Sequence, residues 1–201
     1  MKGFFFLDVD TQRDFMQPSG ALYVRGAERL LPKLRRIFDF ARKHEILVVS
    51  TVDAHVPEDP EFGQFPPHCV LGTDGQKKLD DTLFPRPLIL EYGPVDRNLL
   101  EAVRKHTQIV VHKRELDPFT NPVMERLARA LPGRAIVFGV ATEYCVKLGA
   151  LGLRRIGLKV AVLSDVVRAI DDRDGRAALE EMRLAGVEMI TLESLLGAYI
   201  D

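Results

Sequence analysis

Six apolar runs, Phe4 to Leu7, Ile46 to Val52, Ile109 to Val111, Ala135 to Val140, Val160 to Leu163 and Val187 to Leu192, alternate with segments of helical spacing. No other feature constrains the fold as strongly. Runs that are apolar at nearly every position suit strands buried on both faces of a sheet. Between them, Leu30, Leu31, Leu34, Ile37, Phe38 and Ala41 trace one apolar helix face, with charges on the other. Leu99, Leu100 and Val103 mark a second helix, and Met124, Leu127 and Ala128 a third, entered through Asn121-Pro122 as cap and first turn. Val146 to Leu153, Ala177 to Met182 (stopped by Gly186) and Leu195 to Ile200 complete the set. Strand and helix in alternation imply parallel strands joined by crossovers. The expected fold is a three-layer α/β/α domain over residues 1–201 with a mainly parallel six-stranded sheet. Leu88-Ile89-Leu90 is a further apolar triplet that could extend it, and the Pro-rich stretch 56–67 reads as an irregular loop.

Composition narrows the function classes. At 201 residues, 46% hydrophobic and 28% charged, the chain is long enough to bury a real core as one compact unit. A formal charge of −1 lacks the basic excess of a protein that binds nucleic acid or an anionic membrane, so a small neutral or zwitterionic substrate is the expected partner. Two cysteines, Cys69 and Cys145, exclude a disulfide scaffold. With no signal pattern or long apolar run, the expected location is the cytoplasm.

In an open parallel sheet, ligands bind beyond the carboxyl ends of the strands. Asp10, Asp53, His55, Lys113 and Cys145 all fall there. Cys145 follows a strand-to-helix turn, Gly139-Val140-Ala141-Thr142-Glu143-Tyr144, which would set its thiol near a helix N-terminus, where dipole and cations favour thiolate. It reads either as a nucleophile or as a small packed hydrophobe. A nucleophile needs a base and an orienting group. Asp10 can take the thiol proton and return it to a leaving amine, and Lys113 can hold acid and thiol in register. Turn-forming and solvated roles for those two residues remain open at this level. Asp53 and His55, two apart in extended backbone, point the same way. With His68 they form a ligand set suited to one divalent ion, Zn²⁺, Fe²⁺ or Mn²⁺, or a group of hydrogen-bonded side chains. Phe15 and Phe65 could sandwich a flat ring or serve as core.

Taken together, these residues resemble the isochorismatase-like cysteine hydrolases, within them the nicotinamidase/pyrazinamidase branch. The matching text is Asp10-Thr11-Gln12-Arg13-Asp14-Phe15-Met16, Asp53-Ala54-His55, Phe65-Pro66-Pro67-His68-Cys69-Val70-Leu71-Gly72-Thr73, Lys113 and Gly139 to Val146, in the family's order. The resemblance implies a Rossmann-like sheet, a catalytic triad of Asp10, Lys113 and Cys145, a metal held by Asp53, His55 and His68, and a ring held between Phe15 and Phe65. It implies a cis peptide between Val140 and Ala141, aiming the Ala141 and Cys145 amides at a shared oxyanion. The implied reaction is hydrolysis of nicotinamide, or a pyrazinamide-like aromatic amide, through a thioester. The same triad would also serve another amide, a ureido compound or a vinyl ether, and a thiol-sensing protein could keep the fold. Family members often form homo-oligomers, which no patch of this sequence decides. The chain departs from the branch at Ala54 and Phe65, where Trp is usual, at Asp59, where a further His is common, and at Asp8, where the strand is usually apolar. The stretch between His68 and Lys113 is also longer than in compact members.

Overall fold

A computed structural model describes residues 3–94 and 97–198. Seven parallel strands form one sheet, in the order β3-β4-β2-β1-β5-β6-β7: β1 Phe5–Val9, β2 Val48–Asp53, β3 Leu88–Leu90, β4 Gln108–Lys113, β5 Arg134–Val140, β6 Lys159–Arg168 and β7 Glu188–Ile190. The expected six-stranded sheet gains β3, because Leu88, Ile89 and Leu90 pair with Ile109, Val110 and Val111 at an edge where three residues suffice.

The helices are α1 Arg13–Met16, α2 Leu31–Lys43, α3 Leu99–Val103, α4 Pro122–Arg129, α5 Lys147–Arg155, α6 Asp172–Leu184 and α7 Leu192–Gly197. Two apolar clusters line the two faces of the sheet. On one face Leu34, Ile37 and Phe38 of α2 and Leu192 of α7 pack on Phe6, Phe138 and Leu163. On the other, Leu127 of α4, Leu153 of α5 and Met182 of α6 pack on Leu7, Val111 and Val162. Each such fully buried side chain contributes roughly 1.5–3 kcal/mol by leaving water, which fixes the three layers. Asn121 caps α4 by accepting from the Val123 amide at 3.0 Å, as its place before Pro122 predicts. The last helix starts earlier than expected, because Thr191 and Ser194 form a capping box. Its predicted end at Ile200 lies outside the described residues. Among the described residues no helix is long and apolar enough to cross a membrane.

From β1, at the centre, the chain moves to β2 on one side and later to β5 on the other. The crevice at this reversal is the natural ligand site. Close approach of β1 and β5 there depends on Gly139, at φ +119°, where an added Cβ would lie 2.0 Å from the Val9 carbonyl oxygen. Gly139→Ala is therefore expected to cost about 3 kcal/mol or more, read as a lowered urea midpoint or loss of soluble protein. A variant as stable as wild type would contradict this.

Candidate active site

Asp10, Asp53 and Lys113 stand at or just beyond the ends of strands whose apolar bodies are locked into the sheet. Asp10 follows β1 at φ +50°, and its Oδ1 accepts from the Thr51 hydroxyl at 2.7 Å. Asp53 and Lys113 end β2 and β4 as register partners. The Lys113 ammonium is fully buried, 3.0 Å from Asp10 Oδ2, hydrogen-bonded to Asp53 Oδ1 and 3.5 Å from Cys145 Sγ. Acid, lysine and thiol are thus assembled as the sequence suggests.

Two opposing effects act on each of these groups. Burial pushes the Asp10 carboxyl upward and outweighs the pull of Lys113. For Lys113, burial alone would lower the pKa, but the Asp10 and Asp53 carboxylates hold it well above its usual value. Burial also tends to raise Asp53, yet Lys113 and His55 together hold it low. Cys145 departs from expectation. Regular helix begins only at Lys147, beyond an irregular turn, Thr142–Val146, broken at Tyr144 (φ −114°, ψ −105°). Burial raises the Cys145 thiol more than Lys113 lowers it, which disfavours a free thiolate. The attack therefore requires a base beside it. The Val140–Ala141 peptide is cis, as the resemblance implies.

Asp53 turns its second oxygen to another group. Asp53 Oδ2 lies 3.8 Å from His55 Nε2 and 3.9 Å from His68 Nε2, and ligand atoms of the three residues all fall within 4.8 Å of one another. His68 reaches this position because residues 69–71 run beside His55, with the His55 amide bonded to the Cys69 carbonyl at 3.2 Å and the Leu71 amide to the His55 carbonyl at 2.9 Å. Asp14 Oδ2 accepts from the Cys69 amide at 2.7 Å and steadies its φ of +45°. His68 Nδ1 lies 2.8 Å from the Pro66 carbonyl, which can only accept, so Nδ1 carries the proton and Nε2 turns a lone pair inward. His55 Nε2 is buried without a hydrogen-bond partner. An unpartnered buried nitrogen is costly, and a carboxylate with two imidazole lone pairs is the donor set of a divalent cation. The residues fit such an ion.

Asp59, the residue at the position of a further family His, sets its Oδ2 3.1 Å from His55 Nδ1. The sequence reading missed Glu61. Its Oε1 lies 3.9 Å from His55 Nε2 and 3.8 Å from His68 Nε2, on a short turn that Asp59 caps through the Glu61 amide. It also missed the reason for Glu143 before the thiol: its carboxylate accepts from the Ile170 and Asp171 amides at 2.8 and 2.9 Å and pins that loop beside the site.

A narrow cavity runs between the cluster and the thiol, with Phe15, Phe65, Leu116, Tyr144 and Ile170 among its walls. Phe15 lies against the His68 ring at 5.3 Å, and Phe65 meets Tyr144 edge-on at 5.8 Å, so both predicted aromatics border the site. A roomier cleft at the amino ends of the strands, among Phe4, Leu47, Val103 and Leu131, holds no buried acid or cysteine.

These features define a class: a three-layer α/β protein with a buried thiol, lysine and acid at the sheet's switch point, next to a metal-ligand set. The chain belongs to the isochorismatase family, whose isochorismatase domain matches residues 5–194, and it stands in the nicotinamidase/pyrazinamidase branch. It is 31% identical to the nicotinamidase/pyrazinamidase of Mycobacterium tuberculosis, over 90% of this chain and 95% of that one. It is 24% identical to the nicotinamidase of Saccharomyces cerevisiae, over 82% and 87%. The pyrazinamidase of Pyrococcus horikoshii, solved in complex with zinc, superposes with a TM-score of 0.79 at 27% identity, covering 94% of this chain and 99% of that one.

Proposed function

We propose that this protein hydrolyses nicotinamide, or an aromatic amide of similar size such as pyrazinamide, to the carboxylic acid and ammonia through a thioester on Cys145. The observation that carries the reading is the buried Lys113 ammonium between the Asp10 and Asp53 carboxylates, 3.5 Å from Cys145 Sγ. It joins a thiol–acid pair to a metal-ligand set across one short cavity. The names of the Mycobacterium tuberculosis and Saccharomyces cerevisiae relatives support the substrate, and the zinc complex of the Pyrococcus horikoshii protein supports the metal.

In the proposed sequence, Asp10 takes the thiol proton as Sγ attacks the amide carbon. The Ala141 and Cys145 main-chain amides receive the charge on oxygen. Asp10 then passes its proton to the departing nitrogen, and ammonia leaves. Asp10 next takes a proton from water, the resulting hydroxide attacks the thioester carbonyl, and collapse releases the acid and the Cys145 sulfur, which recovers its proton from Asp10. Lys113 keeps Asp10 beside the sulfur throughout. Asp53, His55 and His68 would hold one Zn²⁺, Fe²⁺ or Mn²⁺, which when bound supplies Lewis acidity toward the ring nitrogen. Phe15 and Phe65 flank the ring. The reading takes residues 1–201 as one catalytic domain, and two free cysteines suit a reducing cytoplasm.

Ammonia release from nicotinamide and pyrazinamide, with each of the three metals supplied, tests the proposal; no release from either amide overturns it. A pH dependence follows from Asp10. The base must be ionised, and burial raises its pKa above the ordinary 3.8. With metal kept saturating, kcat/KM is expected to fall as pH drops through an acid limb above that value. A limb at or below it would count against Asp10 as the base.

A further inference from the structure

Asp53 serves two groups at once, and the structure shows what holds it. The last register pair between β1 and β2 is Val9 with Thr51, because the chain turns away at Asp10. On that side the Asp53 main chain loses its strand neighbour inside a buried site, where an unpaired amide or carbonyl is costly. Gln12 fills the gap. Its side chain is fully buried: Oε1 accepts from the Asp53 amide at 2.7 Å, and Nε2 donates to the Asp53 carbonyl at 2.8 Å and to the Gln76 carbonyl at 2.7 Å. One side-chain amide does the work of a missing strand peptide, with Gln76 Nε2 adding a longer bond to the same Asp53 carbonyl at 3.3 Å.

Gln12 is itself fixed. It bridges to Lys78, the Arg13 amide bonds the Lys77 carbonyl at 2.9 Å, and the Leu79 amide bonds the Thr11 carbonyl at 3.0 Å. This strap is anchored from below by Lys78 Nζ, 2.6 Å from Asp8 Oδ2 and 2.8 Å from Thr11 Oγ1. Asp8 also accepts from the Ser50 hydroxyl at 2.8 Å. The unexpected acid on β1 is thus the anchor of the strap that supports Gln12.

We infer that Gln12 is a positioning residue: by clamping the Asp53 main chain it divides the carboxylate, Oδ1 to Lys113 and Oδ2 to the His55/His68 side, and so presets the metal site. The inference rests on Asp53 being a ligand, as proposed above. Residues that orient a metal ligand typically change affinity by about 10–100-fold when lost, and that is the expected effect of Gln12→Met on Zn²⁺ affinity, read by competition with a chromophoric chelator.

Gln108 supplies a matched comparison. It too is fully buried and ties main chain with both ends of its amide, accepting from the Phe84 amide at 2.6 Å and donating to the Thr82 carbonyl and to the Ser50 hydroxyl, each at 2.9 Å; it reaches the Asp8 anchor only through Ser50, and it contacts neither Asp53 nor the histidines. Gln108→Met should lower stability while leaving Zn²⁺ affinity within about twofold. If Gln12→Met does not fold, Gln12→Ser leaves room for water at the two main-chain groups, and a several-fold loss of Zn²⁺ affinity is expected. Gln12 variants that bind Zn²⁺ as tightly as wild type, or a Gln108→Met loss equal to theirs, overturn the inference. Wild-type protein that takes up no Zn²⁺ overturns the metal reading itself, and the inference with it.

Discussion

Cys145→Ala is expected to lower ammonia release from nicotinamide by about 10⁴-fold or more, the scale seen when the nucleophile of a covalent mechanism is removed. Cys69→Ala should stay within a few-fold of wild type. The two thiols are both buried, so exposure does not separate them; their partners do. Cys145 has Lys113 Nζ at 3.5 Å, with Asp10 at the same ammonium. Cys69 is raised by burial, with the Asp53, Asp14 and Asp10 charges adding to the effect and Lys113 offsetting it only in part, whereas Lys113 Nζ lies within hydrogen-bond reach of Cys145 Sγ. The contribution of Cys69 is main-chain: it carries the amide that Asp14 holds and the carbonyl that His55 bonds. Steady-state ammonia assays on the two variants decide the matter, and activity lost with Cys69 but kept without Cys145 would reverse the mechanism.

Lys113→Met is expected to lower unfolding free energy by about 3–5 kcal/mol, the cost of removing one partner from a buried ion pair, together with most of the activity. Two carboxylates would then face each other in the core without the ammonium between them. The pH dependence identifies the cause. Without Lys113 both acids have folded-state pKa values raised above their unfolded ones, so the folded variant binds more protons than the unfolded chain. Stability from such groups is complete below the unfolded carboxylate pKa and lost as pH rises through the raised values. The deficit against wild type should be largest near neutrality and shrink as pH falls toward the carboxylate range. Urea unfolding across that range checks this, and a deficit that does not change with pH would assign the loss to packing.

The fold and half of the site were legible because the same residues report both. Asp10, Asp53 and Lys113 are polar residues at the ends of apolar runs, and in a parallel sheet such ends share one edge. His55 followed from its spacing to Asp53. Glu61 was not legible: it lies in a Pro-rich stretch without periodicity, where the Asp59 cap holds its turn and residues 69–71, running beside His55, bring His68 to the same place. Gln12 stood in a recognisable motif, yet its task depends on where β1 leaves β2, a register no local pattern reveals. The environment of Cys145 is only partly legible, because a nearby helix start is local to the sequence, whereas the burial that pushes the thiol up comes from the whole fold. Asp8 looked like an anomaly on a buried strand until Lys78, seventy positions away, supplied its counter-charge.

The lengths of the strands carry a consequence for assembly. Both edges of the sheet, β3 and β7, are three residues long, whereas the strands between them run from five to ten. A second chain approaching either edge finds little ladder to extend, and short edges are a known defence against runaway sheet-to-sheet association. Asp10, Asp53, Lys113 and Cys145 all depend on β1, β2, β4 and β5, each at least one strand in from an edge. Whatever docks along the rim, the reacting groups are insulated from it by a sacrificial outer strand.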